Sequence, residues 1–389
     1  MKIAIVHEML IKFGGAERVL LELRKLYPEA DVFTLMYDEK KVGNIFPKSQ
    51  IHCHGPAQWF YGLTGRPRAS LPFMPFSVNR LDVSSYDLVI SSSSGFAHGV
   101  KKGPNSRHIC YCHSPARYLW DATNEVQAEL GLLQDKRERR KDKRGELFSS
   151  VKRIIAGPLV RLLFSWLRRV DLRASKNPDT YIANSREVQG RIQKYYNRDS
   201  VVLWPPVETE RFSPGFMSLS QRKYFVITSA LTPFKQVDRA IRVLTKLGIP
   251  LKIIGDGAQR SELEKIAGGN IEFLGKISDD DVVKVYQDAR GFLMPQKEDA
   301  GIAPLEALAA GIPVFGLAKG GLLEVNIDGV TGRFFPEETD ESFEHSFLDF
   351  DHEIGEGRYD DSAPLVTRAR EFDVQKFLVG FQEILRSHF

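Results

Sequence analysis

Twice along this chain, short apolar β-branched runs alternate with helical stretches, and that alternation restricts the fold more than any other feature. The first series opens with "KIAIVHE", turns on Gly14-Gly15 and enters "AERVLLELRKLY", where Val19, Leu20, Leu23 and Leu26 recur at helical spacing. "DVFTLMY", "YDLVISSSS" and "RHICYCHS" read as further strands, and "DTYIANS" precedes the helix "REVQGRIQKYY". Strands that are apolar on both faces need helices on both faces, which predicts a parallel sheet. Residues 201–215, "VVLWPPVETERFSPG", hold three prolines and break the pattern. The alternation then starts afresh with "KYFVITSAL", "QVDRAIRVLTKL" and "PLKIIGDG", and runs on to "PVFGLA". A chain of 389 residues exceeds what one hydrophobic core serves. Two α/β domains are therefore predicted, 1–205 and 206–370, with 371–389 as a closing amphipathic helix.

Charge narrows the partners. The net charge is +4, yet residues 135–173 alone hold 13 Lys/Arg against 5 Asp/Glu, so the remainder is net acidic. A general polyanion binder would spread its basic residues, and this run lacks interleaved aromatics, which argues against nucleic acid. Ile154, Ile155, Leu159, Leu162, Leu163, Trp166 and Leu167 give the run an apolar side, the composition of a helix lying on an anionic membrane. "LPFMPF", residues 71–76, is a second candidate contact. Only three cysteines occur, Cys53, Cys110 and Cys112, too few for a disulfide framework, and the N-terminal apolar run is short for a secretory signal. These features predict a cytoplasmic protein, peripheral on the inner face of the membrane. His108, Cys110 and Cys112 alternate on one strand without the Cys-x-x-Cys spacing of a zinc site, so no metal is expected.

The chemistry concentrates in "EDAGIAPLEALAAG", residues 298–311. Ligands of open α/β sheets bind beyond the carboxyl ends of the strands, and Glu298 follows the strand "GFLMP" in such a loop. Pro304 suits the first position of a helix, which puts Glu306 in its first turn. A capping box would need Ser, Thr, Asp or Asn at 303, where the chain has Ala303. Two carboxylates at this rim can accept hydrogen bonds from vicinal hydroxyls, and residues Asp299, Ala300, Gly301 and Ile302 offer backbone N–H groups beside them. In "SALTPFKQVDRAI", Lys235 falls between strand and helix, where an ammonium can meet a phosphate. No Gly-x-Gly-x-x-Gly or phosphate-loop Gly-Lys-Ser/Thr is present, which disfavours dehydrogenases and ATPases.

Together these stretches resemble glycosyltransferase family 4, the retaining nucleotide-sugar transferases of GT-B fold, whose signature is E-x7-E. "FGGAERVL" is similar to the family's N-terminal glycine loop, and "HICYCHSPARYLWD" to a bacterial branch of surface-polysaccharide mannosyltransferases. The resemblance implies two Rossmann-like doubly wound domains facing a cleft, an acceptor-side domain and a donor-binding one, with the last helix returning to the first. It implies Glu306 on the nucleotide ribose, Glu298 on the sugar hydroxyls, Lys235 on the diphosphate and His113 beside the donor sugar. Gly275 and Ile277 would line the base pocket, and Gly14, Gly15, Gly320 and Gly321 would let backbone approach the diphosphate. Many members carry Arg where this chain has Ala230, and Arg117 is the candidate replacement. The implied reaction moves a hexose, mannose from GDP-mannose, to a lipid-linked oligosaccharide without metal or other cofactor. UDP- or dTDP-sugar donors, a nucleotide-sugar 2-epimerase, and a non-catalytic sugar-nucleotide binder are the alternatives.

Overall fold

The computed structural model describes residues 1–121 and 143–388, with the side chains of 143–157 and 388 outside the description. Contacts divide it into two units, residues 1–184 with 188–202, and residues 203–387 with 185–187. The chain passes from one to the other after Val202, inside the proline-rich segment.

The first unit carries seven parallel strands: β1 (Ile3–His7), β2 (Asp31–Thr34), β3 (Ile51–His52), β4 (Leu88–Ser93), β5 (Arg107–Cys112), β6 (Thr180–Ala183) and β7 (Val201–Val202). Their order is β3-β2-β1-β4-β5-β6-β7. All five residues of β1 are buried, as a run apolar on both faces requires. The helix Gly15–Leu26 lays Val19, Leu20 and Leu23 on the sheet. The second unit has six parallel strands: β8 (Tyr224–Thr228), β9 (Leu251–Ile254), β10 (Ile271–Gly275), β11 (Ala289–Met294), β12 (Val314–Leu317) and β13 (Gly332–Phe335), in the order β10-β9-β8-β11-β12-β13. The helix Val237–Leu247 covers it with Val237, Ala240, Ile241, Val243 and Leu244. On that sheet Phe315 packs against Phe335, Phe343, Phe347 and Phe350. Both sheets are doubly wound, as the sequence predicts.

The closing helix Val374–His388 is counted through Ser387 with the second unit, where the family resemblance sends it to the first. Backbone hydrogen bonds from Val207 to Phe372 and from Val374 to Val207 stitch its start to the segment that opens the second unit. The basic run forms part of a helix, Lys143–Ala174, and its apolar side divides. Phe164 and Leu167 are buried, whereas Leu159 and Leu162 stand about two-thirds exposed at 64% and 66%. Residues 135–142 of the run, and the side chains of Ile154 and Ile155, lie outside the described residues. Among the described residues, no helix is long and apolar enough to cross a membrane. In "LPFMPF", the exposed Phe76 ring stacks on Trp166 of that helix.

Buried titratable groups, among them His98, His108 and Asp171, make the first unit's stability depend on pH. Burial lowers the pKa of His98 to about 4 and that of His108 to about 3. Each titrates near 6.5 when unfolded, so stability is full above that pH and falls as pH drops toward 4. Asp171 acts in the opposite sense. It accepts hydrogen bonds from Trp120 and Tyr196, and burial raises its carboxyl from 3.8 to about 7. The folded chain therefore holds that proton across the window, and the group's contribution falls as pH rises through it. Asp171→Asn keeps an acceptor for both partners and removes the titration. Its thermal midpoint is expected to climb more steeply than wild type between about pH 5 and 7, by up to about 1.4 kcal/mol of unfolding free energy per pH unit. Parallel melting curves across that range would contradict this account of Asp171.

Candidate functional site

In the second sheet, connections run outward in both directions from the β8–β11 pair, the topological switch point where doubly wound sheets bind ligands. The loop after β8 carries Lys235 at the end of the one-turn helix Pro233–Lys235. Gln236 follows with φ +45, and the helix Val237–Leu247 starts there without a side-chain cap. The loop after β11 carries Glu298. The Lys235 ammonium is paired with the Glu298 carboxylate, and Gln296 Nε2 donates to the same oxygen at 3.0 Å. Gln296 is buried, and its own Oε1 has no partner among the described residues. This arrangement of ammonium, carboxylate and amide beside a bare helix start can hold an anionic group next to a polyhydroxylated one.

The position of Glu298 is set by backbone. Gly321 N–H donates to the Glu298 carbonyl at 2.8 Å, and Glu298 pairs with Gly320 as an isolated parallel bridge. Gly320 has φ +71, and a Cβ there would lie 2.2 Å from the Glu298 carbonyl oxygen. One at Gly321 would lie 2.4 Å from that of Asp299. These glycines are thus required by packing of one loop on the other, a different use from the ligand approach that the resemblance implies.

Glu306 differs from expectation in one respect. Its helix runs Ile302–Ala309 from Gly301, so Pro304 is the third residue and Glu306 lies in the second turn, not the first. Backbone helicity can begin before the proline because N–H groups of the first turn have no intrahelical acceptor, so Pro304 removes no helix hydrogen bond. Glu306 is buried, with Arg211 Nη2 3.7 Å from its Oε1. Arg211 in turn donates to Asp279 at 2.6 Å and lies over the Phe212 ring. Gly275 ends β10 with φ +70, and its carbonyl accepts from Gly255 N–H at 2.7 Å; Ile277 packs on the core just beyond. Asp299, Ala300 and Ile302 are partly buried, Gly301 is buried, and Ala230 is exposed in the loop before Lys235.

The first unit holds the other expected residues. Gly14 precedes the helix Gly15–Leu26, which starts without a side-chain cap, and a Cβ on Gly14 would come 3.2 Å from Glu17 Oε2. His113 directly follows β5; its N–H donates to Ser93, and Nε2 lies 2.8 Å from Ser92 Oγ. Burial lowers its pKa to about 3, so the ring is neutral. Arg117 opens a one-turn helix, Arg117–Trp120. Cys110 and Cys112 are buried in a cluster with Tyr181, Val188, Ile192 and Tyr196, the apolar strand packing that the sequence favours over a metal site. Sequence reasoning missed Arg211, hidden in the proline-rich segment that breaks the alternation, and Gln296, Glu17, His7 and Ser92. The serine run in β4 was the available signal, since hydroxyls inside a buried strand need partners.

Comparison with known proteins agrees along most of the chain. The profile of Glycosyltransferase Family 4 matches residues 13–211, just over half of the chain, and that of Glycosyl transferases group 1 matches 209–353. An uncharacterized glycosyltransferase of Methanocaldococcus jannaschii is 26% identical over 165 residues, 41% of this chain and 46% of that protein. The GDP-mannose-dependent alpha-(1-6)-phosphatidylinositol monomannoside mannosyltransferase of Mycolicibacterium smegmatis is 29% identical over 189 residues, 41% of this chain and 50% of that one. The chain thus spans half or less of the length of these curated relatives. The crystal structure of Anabaena HepE in complex with UDP shares the fold, with a TM-score of 0.69 at 15% identity and both chains fully covered.

Proposed function

The chain belongs to glycosyltransferase family 4, and we propose that it is a retaining hexosyltransferase that moves mannose from GDP-mannose to a lipid-linked oligosaccharide. The observation that carries the reading is the Lys235–Glu298–Gln296 cluster at the switch point of the second sheet. Glu306 receives the ribose hydroxyls, Glu298 a sugar hydroxyl, and Lys235 the diphosphate. Gly275 and Ile277 border the base, and the amides of residues 299–302 border the sugar. His113 is assigned to a hydroxyl of the transferred sugar, Gly14 and Gly15 to the diphosphate, and Arg117 to diphosphate or acceptor.

In the proposed step, the bond from the anomeric carbon to the β-phosphate oxygen breaks as the acceptor oxygen bonds to that carbon on the same face. The departing phosphate takes the acceptor's proton. The protein supplies orientation and charge: the Lys235 ammonium offsets the charge that grows on the leaving diphosphate, so the scheme uses no metal. The mannosyl assignment is supported by the mycolicibacterial relative, whose name specifies GDP-mannose. Contact with an anionic membrane on the cytoplasmic side is supported by the basic run and the exposed Leu159 and Leu162.

Thermal shift against GDP, UDP, dTDP and their sugar conjugates tests the donor. GDP and GDP-mannose at about 100 times Kd are expected to add roughly 2.7 kcal/mol of stability. Glu306→Ala is expected to weaken that binding more than about tenfold, the loss of a charge-assisted hydrogen-bond pair. A selective response to UDP or dTDP would replace mannose in the assignment and keep the transferase. Silence to every nucleotide would overturn it.

A further inference from the structure

We propose that Glu17, His7 and Ser92 form a buried chain that fixes His113 as its Nε2–H tautomer, leaving Nδ1 to accept a hydrogen bond from a hydroxyl of the transferred sugar. The second half of this statement rests on the role given to His113 above; the first does not.

The register of β1 on β4 pairs His7 with Ser92, so their side chains stand side by side on one face of the sheet. His7 Nδ1 lies 3.0 Å from Ser92 Oγ, and the same oxygen lies 2.8 Å from His113 Nε2. On the far side of His7, Nε2 is 3.6 Å from Glu17 Oε1. His7, Ser92 and Glu17 are all buried. The neighbouring acid, Glu8, is committed elsewhere: it accepts from the amides of Phe96 and Ala97 and from Ser93.

Proton counting then selects one arrangement. A nitrogen lone pair facing a carboxylate is repelled, so His7 carries its proton on Nε2, toward Glu17. In the proposed chain the ring carries that one proton, since the 3.6 Å contact is longer than a charge-assisted hydrogen bond. Nδ1 of His7 is therefore bare and takes the hydroxyl proton of Ser92. Ser92 has one proton to give. Its oxygen can only accept from His113, whose Nε2 must carry N–H. Nδ1 of His113 is left as an acceptor, suited to a sugar hydroxyl and unable to donate. Glu17 also rests against Gly14, so the chain begins at the glycine turn and ends at His113. Glu17, His7 and Ser92 are thus positioning residues, acting through His113.

Long-range proton–nitrogen correlation spectra of protein labelled with nitrogen-15 histidine test the tautomer directly, with His113→Gln identifying the His113 signals. At neutral pH the wild-type ring is expected to show a protonated Nε2 and a bare Nδ1. Ser92→Ala is expected to release it into a mixture, and Ser92→Thr, which keeps the hydroxyl, to restore the single form. A proton on Nδ1 in wild type, or an unchanged spectrum in Ser92→Ala, would overturn the chain. If Ser92→Ala does not fold, the wild-type spectrum decides, with His7→Gln breaking the chain from the other end. In transfer assays Ser92→Ala is expected to lower kcat about tenfold, the effect of one misdirected hydrogen bond, at unchanged nucleotide affinity. Unchanged kcat alongside a released tautomer overturns the sugar contact alone. Absence of transfer in wild type, with the tautomer as expected, overturns the proposed function and leaves the chain standing.

Discussion

Lys235→Ala is expected to lower the rate of sugar transfer by about 10²–10³-fold, the usual cost of removing one preorganised group that stabilises transition-state charge. Two consequences of the geometry add up here. The ammonium meant for the leaving diphosphate is gone, and the partly buried Glu298 side chain loses its cation and keeps the Gln296 Nε2 donor. Lys235→Arg restores charge with a planar fork in place of a point charge and is expected to recover only part of the rate. The measurement is steady-state transfer from a nucleotide sugar, with kcat and KM separated. A dominant fall in kcat identifies stabilisation of the leaving group. A rate within threefold of wild type would remove Lys235 from the reaction.

Gly320→Ala is the second large effect, and it acts without touching any ligand. The residue sits at φ +71, and the added methyl would lie 2.2 Å from the Glu298 carbonyl oxygen. The loop bearing Glu298 must then retreat by about 1 Å, a misplacement that costs roughly 10²-fold in rate. The thermal midpoint is expected to drop as well, since a left-handed alanine costs about 1–2 kcal/mol. Gly248→Ala is the matched control, with φ +69 and no atom of the described residues within 4 Å of the added methyl. It should show the conformational cost and keep full activity. Equal activity in the two variants would mean that the 298 loop is not held by Gly320.

Both sheets were readable from the chain because buried parallel strands advertise themselves as β-branched runs, and β1, β4, β8 and β9 all do so. Glu298 and Lys235 were readable because strand ends locate ligand loops in this architecture. Other features were not. Helix entry at Ile302 has no side-chain cap to mark it, so Pro304 gave a start two residues late. The need for Gly320 and Gly321 is a backbone-to-backbone requirement between loops about twenty positions apart, which residue identity does not disclose. His7 and Ser92 are 85 positions apart and His113 a further 21, and only strand register brings them together. Arg211 reaches Glu306 from the proline-rich segment where the alternation of strands and helices breaks.

The bridge between Glu298 and Gly320 extends the pairing of β11 and β12 beyond the strands themselves. The loop carrying the first acid therefore behaves as added sheet, with its length fixed by register. Insertion or deletion of a single residue between 295 and 301 would break that pairing and turn Glu298 aside. Divergence toward a new donor must then proceed by substitution in place along this edge, and changes in loop length must be accommodated at sites without such a tie.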